Sequence, residues 1–194
     1  MNSNYQKTLN FLEEIDSLKS IERKGYLKDH SRHDNPAEHT WHMMIMIVLH
    51  KFLTNEEFDL EKTLIMTLFH DVHEIYSGDV ARYDEKSREA RKQQEKVDAQ
   101  KLFSMLPLPL ADKVYEYWLE FEENKTPEAR LANHFDYLQG FSQSYFARGK
   151  SWKEMGITKE KTKEYTTPII EENSDLAKFI DVLYDEIDKK KLLS

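Results

Sequence analysis

Apolar residues recur at intervals of three and four along most of this chain, and only five glycines and five prolines interrupt them. That interval is the helical one, because side chains three and four apart share a face of a helix, whereas a half-buried strand alternates at two. An all-α fold is expected, a single compact bundle of several helices. The 194 residues are enough to bury one sizeable core, and no internal repeat, low-complexity tract or linker divides them.

The expected helices can be placed in order. The first spans 3–20, with Leu9, Leu12, Ile15 and Leu18 on one face, and an irregular, partly basic segment runs on to Asp34. Asn35 caps the next helix, Pro36 suits its first position, Glu38 completes a capping box, and the helix reaches about Leu53. A third, from about Leu60 to Ile75, is apolar around most of its circumference and should be central. Residues 84–105 form a charged amphipathic helix, Pro109 opens another through Trp118, and Thr126 and Pro127 start one that turns Leu131, Phe135, Leu138, Phe141 and Tyr145 inward. Residues 149–172 read as looser, and a last helix covers about 175–190.

Composition narrows the chemistry. The chain has eight histidines and no cysteine, which removes disulfides, thiolate zinc sites, iron–sulfur clusters and thiol nucleophiles. A net charge of −8 argues against a nucleic-acid platform, while a local basic pocket for one small anion is compatible with it. The longest aliphatic run, Met43 to Leu49, falls far short of the roughly 20 residues that a membrane helix needs. The first residues carry neither the basic start nor the apolar stretch of a secretory signal. A cytoplasmic protein with no membrane partner is expected.

Polar residues collect where burial would be costly. His70, Asp71, His73 and Glu74 form the expected last turn of the apolar third helix, and a buried carboxylate there needs a partner. A divalent cation would serve. His70 and Asp71 are about 100° apart on a helix, and Glu74 lies one turn beyond His70. His39, in the first turn of another buried helix, offers a second imidazole, and Asp136 has small neighbours at Ala132 and Gly140 that let another element approach. Two neutral imidazoles and two carboxylates balance a divalent charge. Four protein ligands around a six-coordinate ion leave room for water and substrate, favouring Mn, Co, Fe, Mg or Ni over closed tetrahedral zinc.

The segments AEHTWH (37–42) and FHDVHEIYSGDV (69–80), followed by Asp136 after TPEARLANHF, together resemble the HD-domain metal-dependent phosphohydrolases, in particular the 5'-deoxynucleotidase-like branch. The similarity spans about 18–170 of a single domain read over 1–194. The resemblance implies one divalent metal on His39, His70, Asp71 and Asp136, with Glu74 and Asp79 as catalytic residues. It implies release of phosphate from nucleoside 5'-monophosphates by in-line attack of a metal-bound water. Glu74 either carries the proton or orients a neighbour. Asp79 either accepts from a ribose hydroxyl or makes a turn. Arg23, in ERKGY (22–26), falls where the family carries a phosphate-binding arginine, a residue suited to bidentate phosphate contact. Some relatives place a tryptophan beside it; here Lys24 and Tyr26 stand instead, so the resemblance does not extend to deoxyribose selectivity. The implied partners are a small-molecule nucleotide and a second copy in a homodimer. Two alternatives stay open: hydrolysis of nucleoside triphosphates or guanosine tetraphosphate-type alarmones, and a non-catalytic nucleotide-binding helical module. No histidine lies between His73 and His134 to hold a second metal. The aromatic and methionine stripes at Trp41 to Met46 and Tyr115 to Trp118 read as core.

Overall fold

The structure, a computed structural model, describes residues 2–193 and is built from helices. In order they are α1 (Asn2–Asp16), a 3-10 turn (Ser17–Ser20), α2 (Pro36–Leu53), α3 (Leu60–Phe69), α4 (Glu74–Ser77), α5 (Glu85–Phe103), α6 (Leu110–Glu123), α7 (Pro127–Phe146), α8 (Lys150–Met155), α9 (Lys159–Glu172) and α10 (Ser174–Lys190). Among the described residues no strand forms, and an isolated antiparallel bridge joins Tyr26 and His33. None of the described helices is long and apolar enough to cross a membrane.

The chain divides into two compact units, residues 1–23 with 35–135, and residues 24–34 with 136–194; the division falls inside the unbroken α7. In the first, α2 packs on α3, α3 on α6, and α6 on α5. Phe11, Leu18, Val72, Leu102, Phe103, Val114 and Trp118 form its buried core. In the second, α9 packs against α10, whose Leu176, Ile180, Leu183 and Ile187 are buried at helical spacing. Phe141 of α7 meets the buried Trp152 of α8 there, with ring centroids 5.3 Å apart.

The α2 start is as the sequence predicts. Asn35 accepts from the Glu38 amide, and Glu38 accepts from the Asn35 amide, an arrangement worth about 1 kcal/mol. Four expectations need correction. The first helix ends at Asp16 and turns Phe11 inward while Leu9 and Leu12 are exposed; Ile15 packs on the core and Leu18, in the 3-10 turn, is buried as expected. Residues 150–155 and 159–172 are helical rather than loose; Thr158 caps α9, and the Thr162 and Thr166 hydroxyls bond the Tyr184 hydroxyl at 3.0 Å. Trp41 and Ile45 are exposed on α2 while Met43 is fully buried, so that stripe is only partly core. The third helix does not reach Ile75 and is not buried all round, since Leu68 faces solvent. Side chains end it early by taking backbone carbonyls. His70 Nδ1 pairs with the Thr67 carbonyl at 2.7 Å, and His73 Nδ1 with the His70 carbonyl at 3.1 Å. Trp118 Nε1 also donates to the His70 carbonyl, at 3.1 Å, so the Glu74 amide turns to Asp71 instead.

Candidate metal centre

The early end of α3 places His70 and Asp71 on a tight turn rather than on a regular helix, where α4 restarts at Glu74. His70 is buried between aromatic neighbours, its ring centroid 5.0 Å from that of Phe121. Because its Nδ1–H is committed to the Thr67 carbonyl, Nε2 is the nitrogen that faces the site, and with its proton displaced it has the tautomer that a metal ligand needs. Nε2 lies 3.1 Å from Asp71 Oδ2. His39, fully buried in the first turn of α2, brings its Nε2 to 3.8 Å from the same oxygen, and the two imidazole centroids are 5.4 Å apart.

Asp136 is the next residue along α7 after Phe135, carried on the helix that begins in the first unit. Lone-pair nitrogens and carboxylate oxygens turned toward one another out of water repel unless positive charge lies among them. The donor set therefore fits a divalent cation: neutral imidazole and carboxylate, with no thiolate.

Arg23 supplies a fixed positive charge at the edge of this group. Its Nη1 is 3.1 Å from Asp71 Oδ2 and 3.1 Å from Asp79 Oδ1. Burial would raise the Asp71 carboxyl, but His70, Arg23 and His39 outweigh it and hold the group well below the ordinary carboxylate range. His73 goes the other way: burial pushes it below its ordinary value, leaving a neutral ring edge-on to Trp118. Asp79 follows Gly78, whose φ of +71° suits glycine alone and turns the chain sharply out of α4. Glu74 is buried at the start of α4. Of the residues singled out in the sequence, Arg23, His39, His70, Asp71 and Asp79 come together through these contacts.

Sequence reasoning missed three supporting residues. Trp118 reads as plain core, yet its indole N–H fixes the His70 carbonyl. Arg91, on a helix dense with charge, donates to the Ser77 and Gly78 carbonyls. Glu122, exposed at the end of α6, has its carboxyl pushed up to about 7 by desolvation and by the negative charges of Glu95 and Asp71. Only the indole N–H carried a legible signal, since a buried tryptophan generally finds an acceptor.

The HD domain family matches residues 15–178. A 5'-deoxynucleotidase HDDC2 from Bos taurus is 26% identical over 137 residues, 70% of this chain and 65% of that protein. The Dictyostelium discoideum protein of the same name is 30% identical over 150 residues, 74% of this chain and 77% of its own length. The chain spans about two thirds of the length of the vertebrate relatives it matches, 65% for the cattle protein and 67% for that of Xenopus laevis. Among solved structures, a predicted metal-dependent phosphohydrolase from Magnetospirillum magnetotacticum superposes with a TM-score of 0.88 at 33% identity, covering 99% of this chain and 96% of that one. An HD-domain phosphohydrolase from Listeria innocua shares the fold, with a TM-score of 0.70 at 18% identity, covering 95% of this chain and 92% of its own.

Proposed function

Because the chain belongs to the HD domain family, we propose that it is a metal-dependent phosphohydrolase, one HD-type domain over residues 1–194, acting on nucleoside 5'-monophosphates. His39, His70, Asp71 and Asp136 would hold one divalent ion. The observation that carries this reading is that Asp71 Oδ2 lies 3.1 Å from His70 Nε2 and 3.8 Å from His39 Nε2, with the two buried imidazoles 5.4 Å apart. Nucleotide phosphate as the substrate class is supported by the names of the relatives, 5'-deoxynucleotidases in several animals and in Dictyostelium.

When bound, the metal supplies Lewis acidity toward a phosphoryl oxygen and makes water more acidic. The chain's own residues do the rest. Arg23 offers a planar guanidinium to the phosphate, and Asp71 and Asp79 hold it in place through one nitrogen, Nη1. Asp79 also has the chemistry to accept from a sugar hydroxyl. Glu74, buried one turn after His70, takes the proton of the attacking water as the oxygen–phosphorus bond forms. It returns that proton to the 5' oxygen as the old ester bond breaks, so that the products are phosphate and a nucleoside.

The test is to strip the protein of metal, reload it with Mn, Co, Mg, Ni or Zn, and follow phosphate release from deoxy- and ribonucleoside monophosphates. Metal-dependent release is expected. It should vanish in Asp71→Ala and fall roughly 100-fold or more in Glu74→Ala, the scale of general acid–base loss. Full activity in Asp71→Ala, or release confined to triphosphates, contradicts the proposal.

A further inference from the structure

Arg91 reaches the substrate side of the site without belonging to it. It stands on α5, and its Nη1 donates to the Ser77 carbonyl at 2.7 Å and the Gly78 carbonyl at 3.3 Å. These carbonyls end α4, where no further helical amide is available to them. The next residue is Asp79, whose side chain is 7% exposed and which meets Arg23 Nη1 at 3.1 Å. The same Arg23 nitrogen meets Asp71. A connected path therefore runs from α5 through two carbonyls and one peptide unit to Asp79, and from there to the guanidinium offered to phosphate.

Packing does little to hold this turn at its hinge. Nothing lies within 4 Å of where a Cβ on Gly78 would stand, and φ there is +71°. The Gly78 amide is bonded to the Glu74 carbonyl at 2.7 Å, which fixes one side of the turn. Arg91 fixes the other, and each N–H of its Nη1 has an acceptor.

We propose that Arg91 is a positioning residue for substrate binding. It holds Ser77–Asp79 so that Asp79 can keep Arg23 turned toward the phosphate. This rests on the phosphohydrolase reading above. A purely structural cap on α4 would make the same two hydrogen bonds, but its loss would lower stability and leave substrate affinity alone.

The two roles separate in full-length protein loaded with the most active metal, using Arg91→Met and Arg91→Lys. Arg91→Met should raise KM for a nucleoside monophosphate about ten-fold with kcat within about two-fold, the pattern of lost uniform binding. Arg91→Lys should recover part of the loss. In an Asp79→Ala background the same Arg91→Met change should add less than about two-fold, because both act on one path. Hydrogen exchange, which needs no turnover, should quicken at amides 78–80 in Arg91→Met and stay unchanged elsewhere. An unchanged KM with lowered Tm overturns the inference, as does a full further loss on Asp79→Ala or unchanged exchange at 78–80. Wild-type protein that releases no phosphate with any metal contradicts the phosphohydrolase reading and, with it, the substrate role of Arg91. An active wild type with an indifferent Arg91→Met contradicts the inference alone.

Discussion

Asp71 Oδ2 lies 3.1 Å from both Arg23 Nη1 and His70 Nε2 and 3.8 Å from His39 Nε2, so one oxygen serves the proposed metal and the proposed phosphate site together. Its carboxyl, held far below the ordinary range, stays ionised at any working pH. The His70 backbone is equally constrained, by Trp118. Trp118→Phe removes the donor together with part of a fully buried ring, and the His70 carbonyl retains its contact with His73. A loss of about 2–4 kcal/mol in urea unfolding is expected, the hydrogen bond adding about 1 kcal/mol to the cost of the cavity, and an unchanged midpoint would contradict it. Glu122 gives a signed pH effect. Its folded carboxyl titrates near 7 against an ordinary 4.5, so the folded state holds that proton more tightly than the unfolded one. The resulting stability is complete below 4.5 and is lost as pH rises through 7. In metal-free protein, Glu122→Gln should flatten the unfolding midpoint across that window; an identical slope in the variant counts against the shift.

At the scale of elements, the telling feature is the break between α3 and α4. Apolar spacing carries a helix through Val72 to Ile75, and nothing in the spacing reveals that His70, His73 and Trp118 side chains will take the carbonyls that would continue it. Hydrogen bonds from a distant tryptophan are tertiary, and a sequence period cannot report them. The α2 start was legible because a capping box is a local contract among Asn35, Pro36 and Glu38. The inner face of α1 is only partly legible, because both Leu12 and Phe11 fit an amphipathic pattern and only packing decides which one is buried. The histidine and aspartate positions stood out as polar residues in apolar surroundings, whereas Arg91 sits among many other charges of α5 and has no such contrast. The exit from α4 yields a prediction: Gly78→Ala must adopt φ near +71°, which costs about 1–3 kcal/mol if the loop keeps its path. Raised KM with a modest fall in Tm is expected, and an unaffected KM would show that the path of the loop does not matter to substrate.

For the whole molecule, a net charge of −8 opposes an anionic substrate, so attraction must come from Arg23 and a bound cation rather than from the overall field. A cation that binds only the folded chain also stabilises it by mass action, by about 2.7 kcal/mol at a hundredfold excess over Kd. For a chain of this size that raises Tm by roughly 5–10 °C, so chelation should lower it by as much. The most direct measurement is a titration of metal-stripped protein with Mn, read as bound ion per chain. One equivalent is expected in wild type and essentially none in His70→Ala or Asp136→Ala, with the helical circular dichroism retained. A full equivalent bound by both variants at wild-type affinity would contradict it.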